Sequence, residues 1–143
     1  MKKYERFDHT ADLGLEICGR TKKELFANAA LALFDVMIQE IDPPKKRGGK
    51  ERVKTITVQG ADVGDLLVNF LRELLYWFNG LGWVLNRASI PACGNKKLVA
   101  QCVVESYNSK QHLIKTEIKA VTYHQLSVEK TKTGWKARVI FDV

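Results

Sequence analysis

The sequence has few cysteines and no long apolar run, and each absence excludes a class of protein. Its three cysteines, Cys18, Cys93 and Cys102, are widely spaced and form no Cys-x-x-Cys pair, so neither a disulfide framework nor a structural zinc site is indicated. No stretch approaches the roughly 18 apolar residues of a membrane span. No apolar segment follows the basic residues after Met1, so a secretory signal is not expected. These features predict a cytoplasmic protein with reduced thiols and no membrane partner.

Sequence motifs for nucleotide binding and for common hydrolytic chemistry are also missing. There is no Gly-x-x-x-x-Gly-Lys-Ser/Thr loop, no Gly-x-Gly-x-x-Gly and no Gly-x-Ser-x-Gly. The histidines, His9, His112 and His124, show no metal-ligand spacing such as His-x-x-x-His. The residues therefore indicate no complete catalytic apparatus.

The charge balance is strongly basic. The formal net charge is +7, which favours encounter with a polyanion through long-range attraction. The basic residues do not alternate with aromatic residues as they do in a base-stacking platform. A contact with the RNA backbone, or with a protein that holds RNA, is therefore favoured over base readout, and the alternative is simply a well-solvated lysine-rich surface.

Two segments have the signature of amphipathic helices. Apolar residues alternate along residues 13–18 and predict a strand, after which Thr21 and Glu24 form a capping box. The first helix is expected from there to about Gln39. Asp62 is predicted to cap a second helix that ends at residues 79–80, Asn-Gly.

The rest of the chain consists mainly of strand-like runs separated by turn residues. Residues 42–50 form a basic loop with proline and glycine. The further strands are predicted at residues 53–59, 83–90, 97–105, 114–120, 125–129 and 135–141. Two helices among seven or eight strands, joined late in the chain by hairpin-length connections, predict an α+β fold with a mainly antiparallel sheet. The length of 143 residues fits one domain, residues 1–143.

The two ends of the chain are acidic, and they carry the most informative residues. Residues 7–12 read FDHTAD and residues 139–143 read VIFDV. In the last strand Phe141 shares a face with the apolar residues, so Asp142 is predicted to face away from the core. Hard divalent cations require several oxygen ligands at one point. If the fold brings the ends together, Asp8 and Asp12, four residues apart, together with Asp142 and the carboxylate of Val143, can supply these oxygens.

Structural roles are the competing interpretation of the same residues. Asp8 and Asp12 can bond their own backbone in a turn, and His9 can cap that turn or act as a ligand or base. Two carboxylates about 4 Å apart repel by about 4 kcal/mol at an effective dielectric constant of about 20. A cation, a proton or a basic side chain must relieve this repulsion. The basic candidates are Lys119, Lys136 and Arg138.

Four segments in this order resemble the archease family. They are FDHTAD at residues 7–12, AALALFDVM at residues 29–37, IKAVTYH at residues 118–124 and VIFDV at residues 139–143. The resemblance spans essentially the whole chain, and the segments are specific in combination although each is short. It implies a single archease-like α+β domain.

The resemblance also implies a function. Proteins of this family are cofactors of the RtcB-type RNA ligase in tRNA splicing, where they promote guanylylation of the ligase by GTP and support multiple turnover. It implies a divalent metal site, with calcium first and magnesium or manganese as alternatives. Carried over by motif, Asp12 and Asp142 are the ligands, and Val143 contributes a main-chain or terminal oxygen. Asp8, His9 and Lys119 are further candidates for contact with the metal or the partner.

Two other functions remain open from the sequence. A general RNA-associated chaperone, or an accessory protein of tRNA modification, is consistent with the net charge of +7. A stand-alone metal-dependent hydrolase would require a general base beside the metal, for which His9 is the candidate. The ligase cofactor would engage tRNA only indirectly, through the ligase.

Overall fold

The structure, a computed structural model, describes residues 3–9, 12–41 and 50–143, with the backbone alone for Asp8 and His9. The helices are α1 (Lys22–Met37) and α2 (Val63–Asn79). The strands, in chain order, are β1 (Tyr4–His9), β2 (Asp12–Gly19), β3 (Ile38–Glu40), β4 (Arg52–Gln59), β5 (Trp83–Cys93), β6 (Lys97–Ser106), β7 (His112–Ile114), β8 (Ala120–Thr131) and β9 (Gly134–Asp142).

The strands form three sheets in which every pairing is antiparallel. The largest has the order β1-β2-β9-β8, a second has the order β4-β6-β5, and β3 pairs with β7. The predicted α+β architecture with two helices and mainly antiparallel sheets is therefore confirmed. β9, close to the C-terminus, lies between β2 and β8, so the last strand is an interior strand of its sheet.

The two helices begin where the capping residues predict. The Thr21 hydroxyl oxygen accepts a hydrogen bond from the Glu24 amide at 3.1 Å. The Glu24 carboxylate returns to the amide of Arg20 rather than that of Thr21, at 3.3 Å, so the reciprocal bond is displaced by one residue. At α2 the Asp62 carboxylate accepts from the Asp65 amide at 2.8 Å, as a capping residue does.

Both helices bury an apolar face against the sheets. α1 packs on β5 and β2, while α2 packs on β8, β4 and β5. Buried residues of the helices and of the two larger sheets form one hydrophobic cluster, in which Phe26 of α1 stacks on Phe70 of α2 with ring centroids 6.2 Å apart. Neither described helix has the length and apolar character needed to cross a membrane.

Four sequence-based boundaries need correction, one of which is the strand predicted at residues 125–129, which belongs to the longer β8. α1 ends at Met37, because residues 38–40 leave the helix to pair with β7. The strand predicted at residues 114–120 is wrong: β7 ends at Ile114, and the amides of Lys115 and Thr116 donate instead to the Met37 carbonyl at the end of α1. β5 continues beyond residue 90 to Cys93. In the predicted basic loop, residues 42–49 lie outside the described residues.

Candidate metal centre

The C-terminal strand anchors one side of the candidate site. Ala137, Val139 and Phe141 of β9 are fully buried, whereas Asp142 is exposed, as the alternation predicts. Ile140 is also buried although it lies on the face of Asp142. Gly14 of β2 pairs with Ile140. The Phe7 ring lies so close to Gly14 that a side chain at position 14 would collide with the ring. The β1–β2 hairpin thus covers this face up to the last residues of β9.

The fold brings the start of β2 beside the end of β9. β2 runs antiparallel to β9 with Leu13 opposite Phe141, and one further step of this register sets Asp12 across from Asp142. Asp12 is half-buried. In the neighbouring strand the backbone of His9 is paired with Asp12 and that of Asp8 with Leu13. The side chains of Asp8 and His9 lie outside the described residues.

A segment held by α2 fixes the backbone at Asp142. The Lys119 amide donates to the Asp142 carbonyl at 2.8 Å. The residue before it, Ile118, accepts from the Asn79 side chain at 3.0 Å, and Val121 accepts from the Arg72 guanidinium at 3.2 Å. The main chain of Asp142 is therefore held by β8 and α2, while its carboxylate remains at the surface. The side chain of Lys119 is exposed beside it.

Two of the three basic residues that compete for the acidic pair are engaged elsewhere. Lys136 forms an ion pair with Glu16 at 3.1 Å. The Arg138 guanidinium lies over the ring of Phe7, 4.2 Å from its centroid. Lys119, the third candidate, adjoins Asp142 through its backbone amide. The carboxylates of Asp12 and Asp142 are of the oxygen-donor type that Ca²⁺, Mg²⁺ and Mn²⁺ prefer.

A polar network ties the IKAVTYH segment to the start of α2. The Tyr123 hydroxyl donates to the Asp65 carboxylate at 2.6 Å, and the Arg72 guanidinium lies 4.8 Å from the Tyr123 ring centroid. The hydrogen bonds from Tyr123 and from the Ala61 amide hold the pKa of Asp65 below its usual range. The same hydrogen bond, donated by the hydroxyl to the Asp65 carboxylate, raises the pKa of Tyr123. This network positions β8 next to the acidic end of β9.

Sequence analysis missed a second group of potential ligands. Among the residues that the structure describes, one set of three has its ligand atoms within 4.8 Å of one another: Glu40, Glu105 and His112. His112 accepts the Asn108 amide at Nδ1, at 3.0 Å, and its Nε2 lies 3.0 Å from Glu105. Because Nδ1 is the acceptor, the proton belongs on Nε2 and points at Glu105. This geometry describes a buried hydrogen-bonded pair of His112 and Glu105, to which the pairing of β3 with β7 adds Glu40.

Cys93 and Cys102 are not activated as nucleophiles. Burial raises the pKa of Cys102 to about 11. It also raises the pKa of Cys93, despite the nearby Lys22 and Lys23. A reactive cysteine needs a lowered pKa, so neither residue offers a nucleophile near neutral pH.

Comparison with known proteins gives a consistent answer. The model of the Archease protein family matches residues 4–143. Protein archease of Methanosarcina mazei is 42% identical over 146 residues, covering 99% of this chain and 97% of the relative. Protein archease of Pyrococcus abyssi is 35% identical over 147 residues and covers both chains fully, at 100% each.

Solved structures agree with the sequence relatives. The solution structure of a Methanobacterium thermoautotrophicum protein has a TM-score of 0.72 and 33% identity, covering 100% of both chains. The crystal structure of an archease from Thermotoga maritima has a TM-score of 0.60 and 26% identity, covering 97% of this chain and 96% of that one. Family match, sequence identity and fold therefore lead to one conclusion: this chain belongs to the Archease protein family.

Proposed function

We propose that this protein is a non-catalytic cofactor of an RtcB-type RNA ligase in tRNA splicing, which it serves by promoting guanylylation by GTP and multiple turnover. Family membership supports this proposal. The Thermotoga maritima relative is described as an archease and possible chaperone, and such a role requires a partner protein. The observation that supports the proposal most is the β2–β9 register, which puts Asp12 and Asp142 at neighbouring strand ends.

In this proposal these acidic strand ends hold a divalent cation, calcium first and magnesium or manganese as alternatives. Asp12 and Asp142 are the side-chain ligands, Val143 adds a main-chain or terminal oxygen, and Asp8 and His9 are further candidates. A bound divalent cation supplies positive charge that a triphosphate attracts. The role of this chain is to present that charge in a fixed position, since Phe141 is fully buried beside the exposed Asp142. Carboxylates at neighbouring strand ends on the surface suit presentation of a cation to a partner protein rather than enclosure of a substrate.

The test is multiple turnover of the ligase from the same source, with GTP and a broken tRNA, with and without this protein. We expect wild type to stimulate and Asp142→Asn to lose most of the stimulation, because the substitution removes a charged oxygen ligand without changing the side-chain size. Glu129→Gln is the matched control, since Glu129 is an exposed acid near the far end of β8. Equal stimulation by Asp142→Asn and wild type would exclude the acidic strand ends as the functional site.

A second candidate function is an RNA-associated chaperone or an accessory protein of tRNA modification, which the net charge of +7 favours. It predicts that the isolated protein binds tRNA directly, with an affinity that falls steeply as salt increases. The ligase cofactor instead requires the ligase for any strong effect on tRNA. Binding of labelled tRNA across a salt series, with and without ligase, separates the two functions.

A further inference from the structure

One end of the molecule brings basic residues from distant parts of the chain together. Gly134, at the start of β9, lies so close to the backbone of residues 19–20 that a side chain at position 134 would collide with that backbone. Lys22, at the start of α1, donates a hydrogen bond to the side chain of Asn95 at 2.7 Å. The β8–β9 turn, the start of α1 and the β5–β6 turn are therefore neighbours.

A stripe of basic side chains crosses this end. Lys130 pairs with Trp135, and cross-strand partners share a face of the sheet. The Lys22 ammonium lies 5.6 Å from the centre of the Trp135 ring, and the hydrogen bond from Lys22 to Asn95 continues the row to the β5–β6 turn. The basic stripe consists of this row and the cations beside it: Arg20, Lys22, Lys96, Lys130 and Lys132.

Most of the basic stripe is available for contact with an anion. Four of its members are exposed and form no salt bridge with a described residue: Arg20, Lys96, Lys130 and Lys132. Lys22 is half-buried between Asn95 and Trp135. Lys136, which is paired with Glu16, follows Trp135 in the strand and so lies on the other face of the sheet. The four exposed cations can therefore meet an anion without losing a described ion pair.

The acidic residues near the stripe have other contacts. The Glu24 carboxylate accepts the amide four residues before it, at 3.3 Å. Asp62 and Asp65 likewise accept backbone amides at the start of α2, each at 2.8 Å. Carboxylates in these positions balance the positive ends of the helix dipoles. Glu129 pairs with Lys136 and shares the other face of the sheet with it. The cations of the stripe therefore supply the outward charge of this end.

The composition of the stripe favours nucleic acid over protein as its partner. Protein–protein interfaces are depleted in lysine and depend on aromatic or apolar anchors. Among the described residues 19–24, 94–97 and 129–136, no large apolar side chain is exposed. Trp135 is half-buried with Lys22 over its ring, so it does not form a stacking platform for the bases of a single strand. Contact with the phosphates of a duplex requires neither an apolar anchor nor a stacking ring.

The stripe lies at the opposite end of β9 from the proposed metal site. β9 begins at Gly134, beside the stripe, and ends at Asp142. At about 3.4 Å per residue, the two ends of this strand are about 27 Å apart. One end of the protein can therefore contact RNA while the other end faces the ligase.

We propose that the basic stripe binds the phosphate backbone of duplex RNA. Its exposed ammonium and guanidinium groups contact phosphate oxygens and read no bases. The choice of RNA over DNA rests on the proposed function, whereas the stripe itself depends neither on the metal nor on the ligase. Such a contact is weak, with a Kd of about 1–100 µM at physiological salt, and this suits a cofactor that meets tRNA mainly on the ligase.

The probe is a labelled, blunt RNA duplex of about 16 base pairs, titrated with the protein across a salt series. We expect a slope of log K against log salt concentration of about −4, as for four to five phosphate contacts. The test variant combines three substitutions in the stripe: Lys96→Gln, Lys130→Gln and Lys132→Gln. It should reduce the slope by about three and weaken binding about tenfold or more at low salt. In isotope-labelled wild type, the duplex should shift the amides of residues 95–96 and 130–133.

The matched control makes the same change of net charge away from the stripe. It replaces three exposed lysines: Lys50→Gln, Lys110→Gln and Lys115→Gln. We expect it to bind like wild type, because exposed charges are screened beyond about 10 Å at about 0.1 M salt. Equal losses in the two triple variants would overturn the proposal, since net charge alone would then explain binding. So would binding of polyglutamate, or of vesicles of phosphatidylcholine and phosphatidylserine, through the stripe when the duplex does not bind.

The result for the stripe can be separated from that for the proposed metal site. The triple variant of the stripe should keep the response of wild type to Ca²⁺, and Asp142→Asn should bind the duplex like wild type. If wild type stimulated the ligase but did not bind the duplex, this proposal would be overturned and the proposed function would stand. If it bound the duplex through the stripe without stimulating the ligase, the reverse would hold.

Discussion

The hydrogen bond between Tyr123 and Asp65 makes a pH-dependent contribution to stability. It holds the pKa of Asp65 below its usual value, so the stabilisation is present at neutral pH and is lost as the pH falls through the lowered pKa. Tyr123→Phe should therefore lower the free energy of unfolding at pH 7, and the difference from wild type should shrink below about pH 4.

Urea unfolding at pH 7 and at pH 3 measures this prediction. The control is Tyr76→Phe, because Tyr76 is an exposed tyrosine of α2 outside the Asp65 network. Its substitution should have an effect that does not change with pH. If Tyr123→Phe destabilised the protein equally at both pH values, the charge on Asp65 would have no part in the bond.

Single residues of the candidate site were partly predictable. The alternation in the last strand gave the exposure of Asp142, because side-chain parity follows from the sequence alone. The burial of Ile140 could not be predicted, since it depends on the close approach of Phe7 to Gly14 in the neighbouring hairpin. The partner of Lys136, Glu16, likewise follows only from the pairing of β2 with β9.

Among the secondary-structure elements, α2 depends on its N-terminal cap. Asp62 accepts the Asp65 amide at 2.8 Å, and we expect Asp62→Ala to lower the free energy of unfolding by about 1 kcal/mol, the usual effect of losing an N-cap. Asp62→Ser is the matched control and should retain most of the stability, because serine also caps helices. The urea midpoint at constant slope measures both variants, and equal losses would show that the cap bond does not stabilise α2.

The positions of elements with a clear local pattern of apolar and polar residues were predicted well. The apolar spacing and caps located both helices, and alternation located β2 and β9. The β3–β7 pair was missed, because residues 38–40 follow the helical pattern of α1 and leave it only through contact with residues 112–114. The amides of Lys115 and Thr116 bond to the end of α1 rather than to a strand, a tertiary preference that no window of sequence contains.

For the molecule as a whole, the decisive fact is that two segments more than a hundred residues apart become neighbours. A metal site at Asp12 and Asp142 requires residue 12 to lie near residue 142. The register that pairs Leu13 with Phe141, and so meets this requirement, is a property of the folded sheet. That register makes β9 an interior strand between β2 and β8. A ligand shared by Asp12 and Asp142 would therefore connect the N-terminal hairpin to the C-terminal strand and bind only the folded chain.

Such a ligand should raise the stability of the entire fold. A ligand that binds only the native state, present at about 100 times its dissociation constant, stabilises by about 2.7 kcal/mol. Each kcal/mol raises Tm by about 2–4 °C in a protein near this size. We therefore expect saturating Ca²⁺ to raise the Tm of wild type by about 5–11 °C and to leave that of Asp142→Asn nearly unchanged.

Calorimetry with Ca²⁺, and separately with Mg²⁺ and Mn²⁺, checks this expectation and ranks the metals. Glu129→Gln should respond like wild type, because Glu129 pairs across the sheet with Lys136, far from Asp142 along β9. A Tm increase of the same size in Asp142→Asn would place the cation elsewhere. The set of Glu40, Glu105 and His112 would then be the next site to test, because its ligand atoms also converge in the folded state and a metal there would have to displace the proton between His112 and Glu105.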